Sequence, residues 1–437
     1  MKTKQSIHVK QRKKSALIFF LFPIIIFCSS CKDSDATDEE FNPNNPIEVT
    51  AIIPETGTIA LPVVIHGKNF GTDKSKIKVF FDDVQAPIIT AQNEHLYVST
   101  PKQDGGKHTI KVAVENQEGI LENRFTYIVT SSISTVAGTG ERGIADGDAL
   151  EATFASPEYI TVDDKGNLIV SDYSGSRLRL VSLNESKVTT LVSNGDTYEV
   201  CFSLDYSTLH VSIESNSKLG NEFDCTANWL RTVVPNDLEM EDGASAVTTD
   251  QKGNAYYIGF LGAIARKDIN TGKITQIGEI PKSLIDTEVY YGGADYYSVY
   301  NPRDNYIYVS TRWEHVIIRF EAKEILEEKD FEIYAGQIGE SGLYNSTRLE
   351  STFNAPRGMA FDSKGNMYVV DSRNNVVRMI NPEGKVSTFI GNPRGGLQDG
   401  AVEEALFSAP YDIAISPDDI IYISDGGNYR IRCITIQ

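Results

Sequence analysis

Thr352-Phe353-Asn354-Ala355-Pro356, then Phe361-Asp362-Ser363-Lys364-Gly365-Asn366-Met367-Tyr368-Val369-Val370-Asp371, then Val377-Arg378-Met379 decides the architecture, because the chain writes this stretch three times. The first copy reads Thr153-Phe154-Ala155-Ser156-Pro157, Val162-Asp163-Asp164-Lys165-Gly166-Asn167-Leu168-Ile169-Val170-Ser171-Asp172 and Leu178-Arg179-Leu180. The third reads Leu406-Phe407-Ser408-Ala409-Pro410, Ile415-Ser416-Pro417-Asp418-Asp419-Ile420-Ile421-Tyr422-Ile423-Ser424-Asp425 and Ile431-Arg432-Cys433. Fainter copies lie between them around Phe202, Thr249 and Asn301. The spacing, roughly 40 to 55 residues, is the period of propeller blades. Each Asp-x-x-Gly-Asn element predicts a tight hairpin in which Gly and Asn accept positive φ between two buried strands.

Six copies make six blades. The strand that completes a blade has the form Lys385-Val386-Ser387-Thr388-Phe389-Ile390-Gly391, and the last copy reaches Gln437 without one. Ile133-Ser134-Thr135-Val136-Ala137-Gly138 has that form and is expected to pair with the last blade, closing the ring and covering its edges. The pattern resembles the NHL repeat family over nearly all of residues 131–437, and the resemblance implies a six-bladed β-propeller closed by its N-terminal strand.

Residues 47–129 read differently. Short alternating strands at Val63-Val64-Ile65, Ile77-Lys78-Val79-Phe80-Phe81, Leu96-Tyr97-Val98 and Ile110-Lys111-Val112-Ala113-Val114 are separated by Gly, Pro, Asn and Asp turns, a β-sandwich pattern. Pro54, Ile65-His66-Gly67-Lys68-Asn69-Phe70-Gly71, Pro101 and Phe125-Thr126-Tyr127 resemble the IPT/TIG family of immunoglobulin-like domains, which serves as a spacer or interaction module. The fold class is therefore all-β throughout.

Ahead of both domains, Lys2, Lys4, Lys10, Arg12, Lys13 and Lys14 precede the apolar run Ala16–Phe27 and then Cys28-Ser29-Ser30-Cys31, which marks residues 1–30 as a signal segment. The small residues before Cys31 resemble a bacterial lipobox, which makes Cys31 the expected lipidation site and the membrane a partner through the anchor. The acidic stretch within residues 31–46 resembles the tether of Bacteroidetes-type lipoproteins exposed on the outer face of the outer membrane. Without residues 1–30 the formal charge falls from −19 to about −25, which argues against a nucleic-acid partner. Three cysteines remain in the globular part, of which Cys201 and Cys225 are candidates to pair.

Propeller sites lie at the ends of the central channel, so the residues that start the inner strands are the candidates: Glu158, Tyr159, Tyr198, Asp295, Tyr296, Arg357, Tyr411 and Asp412, in a ring that also includes Glu199 and Ser245. Aromatic faces, carboxylates and an arginine suit the C–H surfaces and hydroxyls of a carbohydrate. Trp229 and Trp313, with Tyr290, Tyr291, Tyr297 and Tyr300, extend the list because their blades depart most from the repeat. His210 and His315 fall in different blades, which excludes a multi-histidine metal site. Glu158 and Asp412 are the carboxylates from which a hydrolase could be built. No cofactor is expected; calcium is conceivable at Asp146-Gly147-Asp148 and Asp399-Gly400, although Asp-Gly turns need no metal. These features together predict a non-catalytic glycan-binding surface lipoprotein that accompanies an outer-membrane transporter or uptake system. A protein-binding or adhesion scaffold and a propeller lyase or glycoside hydrolase are the alternatives.

Overall fold

The computed structural model describes residues 40–129, 131–193, 197–238, 240, 243–285 and 296–436. Cys31 with the signal segment, most of the acidic tether, Tyr290, Tyr291 and Asp295 lie outside the described residues. The chain divides into two compact units, the first made of 40–55, 61–101 and 107–125, the second of 56–60, 102–106 and the chain from Thr126 onward.

The first unit is built on two sheets. One orders the strands Glu48–Ile53, Pro62–Lys68, His95–Ser99 and Ile88–Gln92; in the other, Gln117–Tyr127, Gly106–Val114, Ile77–Phe81 and Val84–Ala86 are neighbours. Alternation places Ile52, Val63, Ile65, Leu96 and Val98 of one sheet, and Val79, Phe81, Ile110, Val112 and Phe125 of the other, in the core. The Gly-x-Asn-Phe-Gly turn has a physical reason. A Cβ at Gly67 would stand 2.0 Å from the Glu48 carbonyl oxygen. Asn69, at φ 63°, donates through its amide to the carbonyls of Asn42 and Asn45 and accepts from the Asn42 N–H.

Among the described residues the second unit contains six antiparallel sheets, whose innermost strands are Pro157–Val162, Val200–Phe202, Ala246–Thr249, Tyr296–Asn301, Pro356–Phe361 and Asp412–Ile415. As expected, the ring closes between the two ends of the unit. Ser131–Ala137 pairs antiparallel with Arg430–Ile436, with Ser132 opposite Thr435 and Ile133 opposite Ile434.

Three blades share one buried device. The strand Leu168–Asp172 ends on Asp172, which receives the N–H groups of Ala155 and Ser156 and pairs with Arg179 at 3.2 Å. Arg179 in turn donates to the carbonyls of Thr153 and Ala145 and lies 5.1 Å from the centre of the Phe154 ring. Asp371, Arg378 and Phe353 repeat this arrangement in the fifth blade, as do Asp425, Arg432 and Phe407 in the sixth. These are the Phe, Asp and Arg of the written repeat, drawn together to pin the loop that leads into each blade. The three remaining blades have Ile213, Gly259 and Thr311 at the place of the aspartate, which is why their copies read faintly.

Removing one partner strands the other as an unpaired buried charge. Arg378→Met should therefore lower the unfolding free energy by about 3–5 kcal/mol, and adding Asp371→Asn should recover part of that loss. Urea denaturation of the single and double variants measures both.

Candidate functional site

Six inner strands form a ring around the axis, and at their starting end the side chains of all six blades meet. Tyr159 of the first blade stacks on Tyr297 of the fourth, ring centres 4.8 Å apart. Tyr198 of the second blade tilts against Tyr159 at 6.1 Å and meets Phe260 of the third edge-on at 5.3 Å. Arg357 of the fifth blade donates to the Tyr297 hydroxyl at 3.2 Å and lies 3.8 Å over the Tyr411 ring of the sixth. These side chains form a plug rather than an open platform: Tyr159 is 2% exposed, Tyr297 1% and Arg357 5%.

Tyr296, expected at the channel, instead lies fully buried between the third and fourth blades among Ala246, Tyr256, Ile258 and Val316. Its neighbour Tyr297 occupies the channel position, because side chains on a strand alternate and a one-residue difference reverses the face. Trp229 is half-buried in a turn at φ 61° and packs onto the core between the first two blades. Two guanidinium groups lie over the Trp313 ring, Arg312 at 4.4 Å and Arg373 at 5.0 Å. Glu158 is half-buried and accepts from the Ser156 hydroxyl at 2.7 Å.

Below the plug the channel contains two buried carboxylates. Inner strands are sheet edges whose N–H groups point at the axis without a partner strand. Glu199 accepts from the N–H of Val247 at 2.7 Å, the N–H of Ser298 at 2.6 Å and the Ser298 hydroxyl at 2.7 Å, so one side chain serves two blades besides its own. Asp412 accepts from the N–H of Ile160 at 2.9 Å and of Ile413 at 2.8 Å. A Cβ at residue 358 would lie 1.8 Å from Asp412 Oδ1, so only glycine fits there. Serines of the second strands join neighbouring blades at the same end: Ser171 donates to the Thr197 carbonyl, Ser212 to that of Ser245 and Ser424 to that of Glu158. Burial raises Asp412 to about 7, opposed by the two amides and Arg357. Burial likewise pushes Glu199 upward, the Asp412 charge adding to it. Asp412 thus acts electrostatically on Glu199 across the channel. The sequence Tyr198-Glu199-Val200 sets an acid at the head of this inner strand, where burial obliges it to find donors. A cavity of about 250 Å³, lined by Glu199, Ser298, Asp412, Phe202, Leu204 and Tyr206 among others, lies on this side of the channel.

A separate depression of about 530 Å³ lies beside the plug, lined by Tyr173, Ser174, Tyr198, Glu214, Ser215 and Asn216. The Tyr198 hydroxyl donates to Glu214 and lies 3.2 Å from the Tyr173 hydroxyl. Burial holds the Tyr198 phenol well above its ordinary pKa, so it remains a donor. Tyr173 and Glu214 follow second strands, outside the inner-strand positions from which the sequence candidates were drawn.

The acidic loops proposed for calcium are already committed. Asp146 receives Arg179 and both the N–H and hydroxyl of Thr190, and Asp399 receives Arg432 and the Thr135 N–H. Among the described residues no group of three or more His, Cys, Asp or Glu is placed to hold a metal ion. Cys201 and Cys225 do not pair: both are free, Cys201 packed into the core shared with the third blade and Cys225 into that shared with the first.

Residues 46–128 match the IPT/TIG domain family. Among solved structures, a Bacteroides thetaiotaomicron protein of unknown function is similar at 25% identity with a TM-score of 0.72, the match covering 91% of this chain and 100% of that one. A Bacteroides ovatus protein described as an auxiliary nutrient binding protein is similar at 24% identity with a TM-score of 0.62, covering 91% and 100% respectively, a likeness of fold. Teneurin-3 of Danio rerio is 24% identical over an alignment 389 residues long, gaps included, that covers 73% of this chain but 14% of that protein. The chain thus spans a small part of the teneurins it matches.

A raised carboxylate makes folding sensitive to pH in a known direction. The folded chain keeps the Asp412 proton that the unfolded chain loses near its ordinary value of 3.8, so this contribution is complete in acid and is lost as pH rises through about 7. Asp412→Asn should flatten the fall in thermal midpoint between about pH 4 and 7, measured against the parent protein across that range; an unchanged slope would show that Asp412 ionises normally.

Proposed function

We propose that this protein is a non-catalytic binding protein that holds a carbohydrate nutrient at the depression beside the channel plug. In this reading lipid on Cys31 and the acidic tether hold it at the outer membrane, where it serves an uptake system. The observation that carries the reading is the mutual arrangement of Tyr173, Tyr198 and Glu214. Tyr173 is 36% exposed and offers an aromatic edge and a hydroxyl, while Glu214 and Tyr198 form a pre-ordered acceptor and donor pair. Asn216 and the serines add amide and hydroxyl groups without charge, as a neutral sugar requires. The role described for the Bacteroides ovatus protein of like fold accords with this.

A second reading, glycoside hydrolysis, draws on Glu199 and Asp412. Their oxygens already accept main-chain and hydroxyl donors, which occupies the lone pairs that a general base or nucleophile would use.

Residues 47–437, titrated with an array of polysaccharides, should bind at least one without releasing reducing ends. Tyr173→Ala and Glu214→Gln should each weaken that binding by about tenfold or more. Product release would reinstate the hydrolase, and binding to no glycan would transfer the role to a protein partner.

A further inference from the structure

The second blade breaks a rule that the blades after it keep. At one position of the second strand, the third to sixth blades carry Tyr256, Tyr308, Tyr368 and Tyr422. In three of them the phenol donates to the aspartate of the preceding hairpin: Tyr256 to Asp250 at 3.0 Å, Tyr308 to Asp304 at 2.6 Å and Tyr368 to Asp362 at 3.3 Å. The second blade carries His210 there, and its hairpin Asp205 turns back to Ser203 and Ser207. His210 instead faces Glu222 on the neighbouring strand, Nδ1 to Oε1 3.3 Å, and Glu222 also receives Lys267 of the third blade at 2.5 Å.

A smaller ring where a phenol would reach outward coincides with a cleft of about 350 Å³ between the second and third blades, with His210, Glu222 and Lys267 at its base. Burial would raise Glu222, but His210 and Lys267 outweigh it and hold the carboxylate down at about 2. Asp205 and Glu222 are balanced by Lys252 and Lys267, so the cleft is close to neutral in a strongly acidic protein. Its lining includes the hydroxyls of Ser203, Ser207 and Thr208, and it is flanked by Leu204 and Ile269, 51% and 56% exposed. Charged hydrogen-bonding groups at the base, hydroxyls around them and apolar side chains at the rim match the hydroxyls and C–H faces of one sugar ring.

We propose that this cleft is a second carbohydrate site, separate from the depression beside the plug, that binds a single neutral sugar residue. The ligand class rests on the carbohydrate reading above; the location does not. His210→Tyr restores the side chain that four other blades accommodate and fills the cleft, and Leu204→Ser with Ile269→Ser alters only exposed rim residues. Calorimetric titration with methyl glucoside, methyl galactoside and methyl mannoside should show a binding event that persists in Tyr173→Ala. That event should fall by about tenfold or more in His210→Tyr and in the rim variant, with thermal midpoints near that of the parent. Unchanged affinity in a folded His210→Tyr protein, or loss of all binding in Tyr173→Ala, would overturn the cleft site while leaving the depression standing. Binding that is lost only in the cleft variants would support the cleft and remove the depression; no binding of any glycoside by the parent would overturn the cleft, and polysaccharide titration would then decide the depression alone.

Discussion

Six sheets arranged in a ring leave six inner strands with no neighbour on the axis side, and their N–H groups must be satisfied in a space too narrow for another strand. Much of the centre of this propeller follows from that constraint. Glu199 answers it for the third and fourth blades and Asp412 for the first and sixth. Taking carboxylates into the channel raises their pKa values, demands glycine at 358 and calls for an aromatic seal above them. Tyr159 and Tyr297 supply the centre of that seal by stacking across the axis. The same groups that make the channel resemble a catalytic cleft therefore also meet the needs of the scaffold.

How much of this could be read in the residues depended on whether a residue's role was local. Hairpin turns and the Phe, Asp and Arg of the three strong repeats are local signals, and they led to the blades, the ring and its closure. The immunoglobulin-like domain was legible for the same reason, since Gly67 and Asn69 are required by the turn they stand in. Tyr296 and Tyr297 mark the limit. Two adjacent tyrosines at the head of a strand carry no indication of which faces the axis until the register is known, and the blade lacks the aspartate that sets register elsewhere.

Tyr198 and Glu199 were legible as members of the ring, but the partners of Glu199 and the grouping of Tyr198 with Tyr173 and Glu214 were beyond reach for a different reason. The groups that meet there come from separate blades or from connections after second strands, so their meaning arises only when the ring is assembled. The second blade shows the converse. A histidine met alone in a strand invites the conclusion that it is a satisfied core residue, whereas comparison with its four tyrosine counterparts turns it into a departure with a cavity beside it.

Ring closure also orders events in time. Ser131–Ala137 is made near the beginning of the propeller and its partner Arg430–Ile436 at the very end. A ribosome supplying roughly 5–20 residues per second therefore leaves the first strand waiting many seconds for its mate. During that interval five blades can form from neighbouring segments, but the circle stays open and one strand edge stays available to other chains. A nascent chain of this protein is thus most vulnerable to mispairing in the interval before its closing strand is made, when the waiting edge is an open template for any other strand.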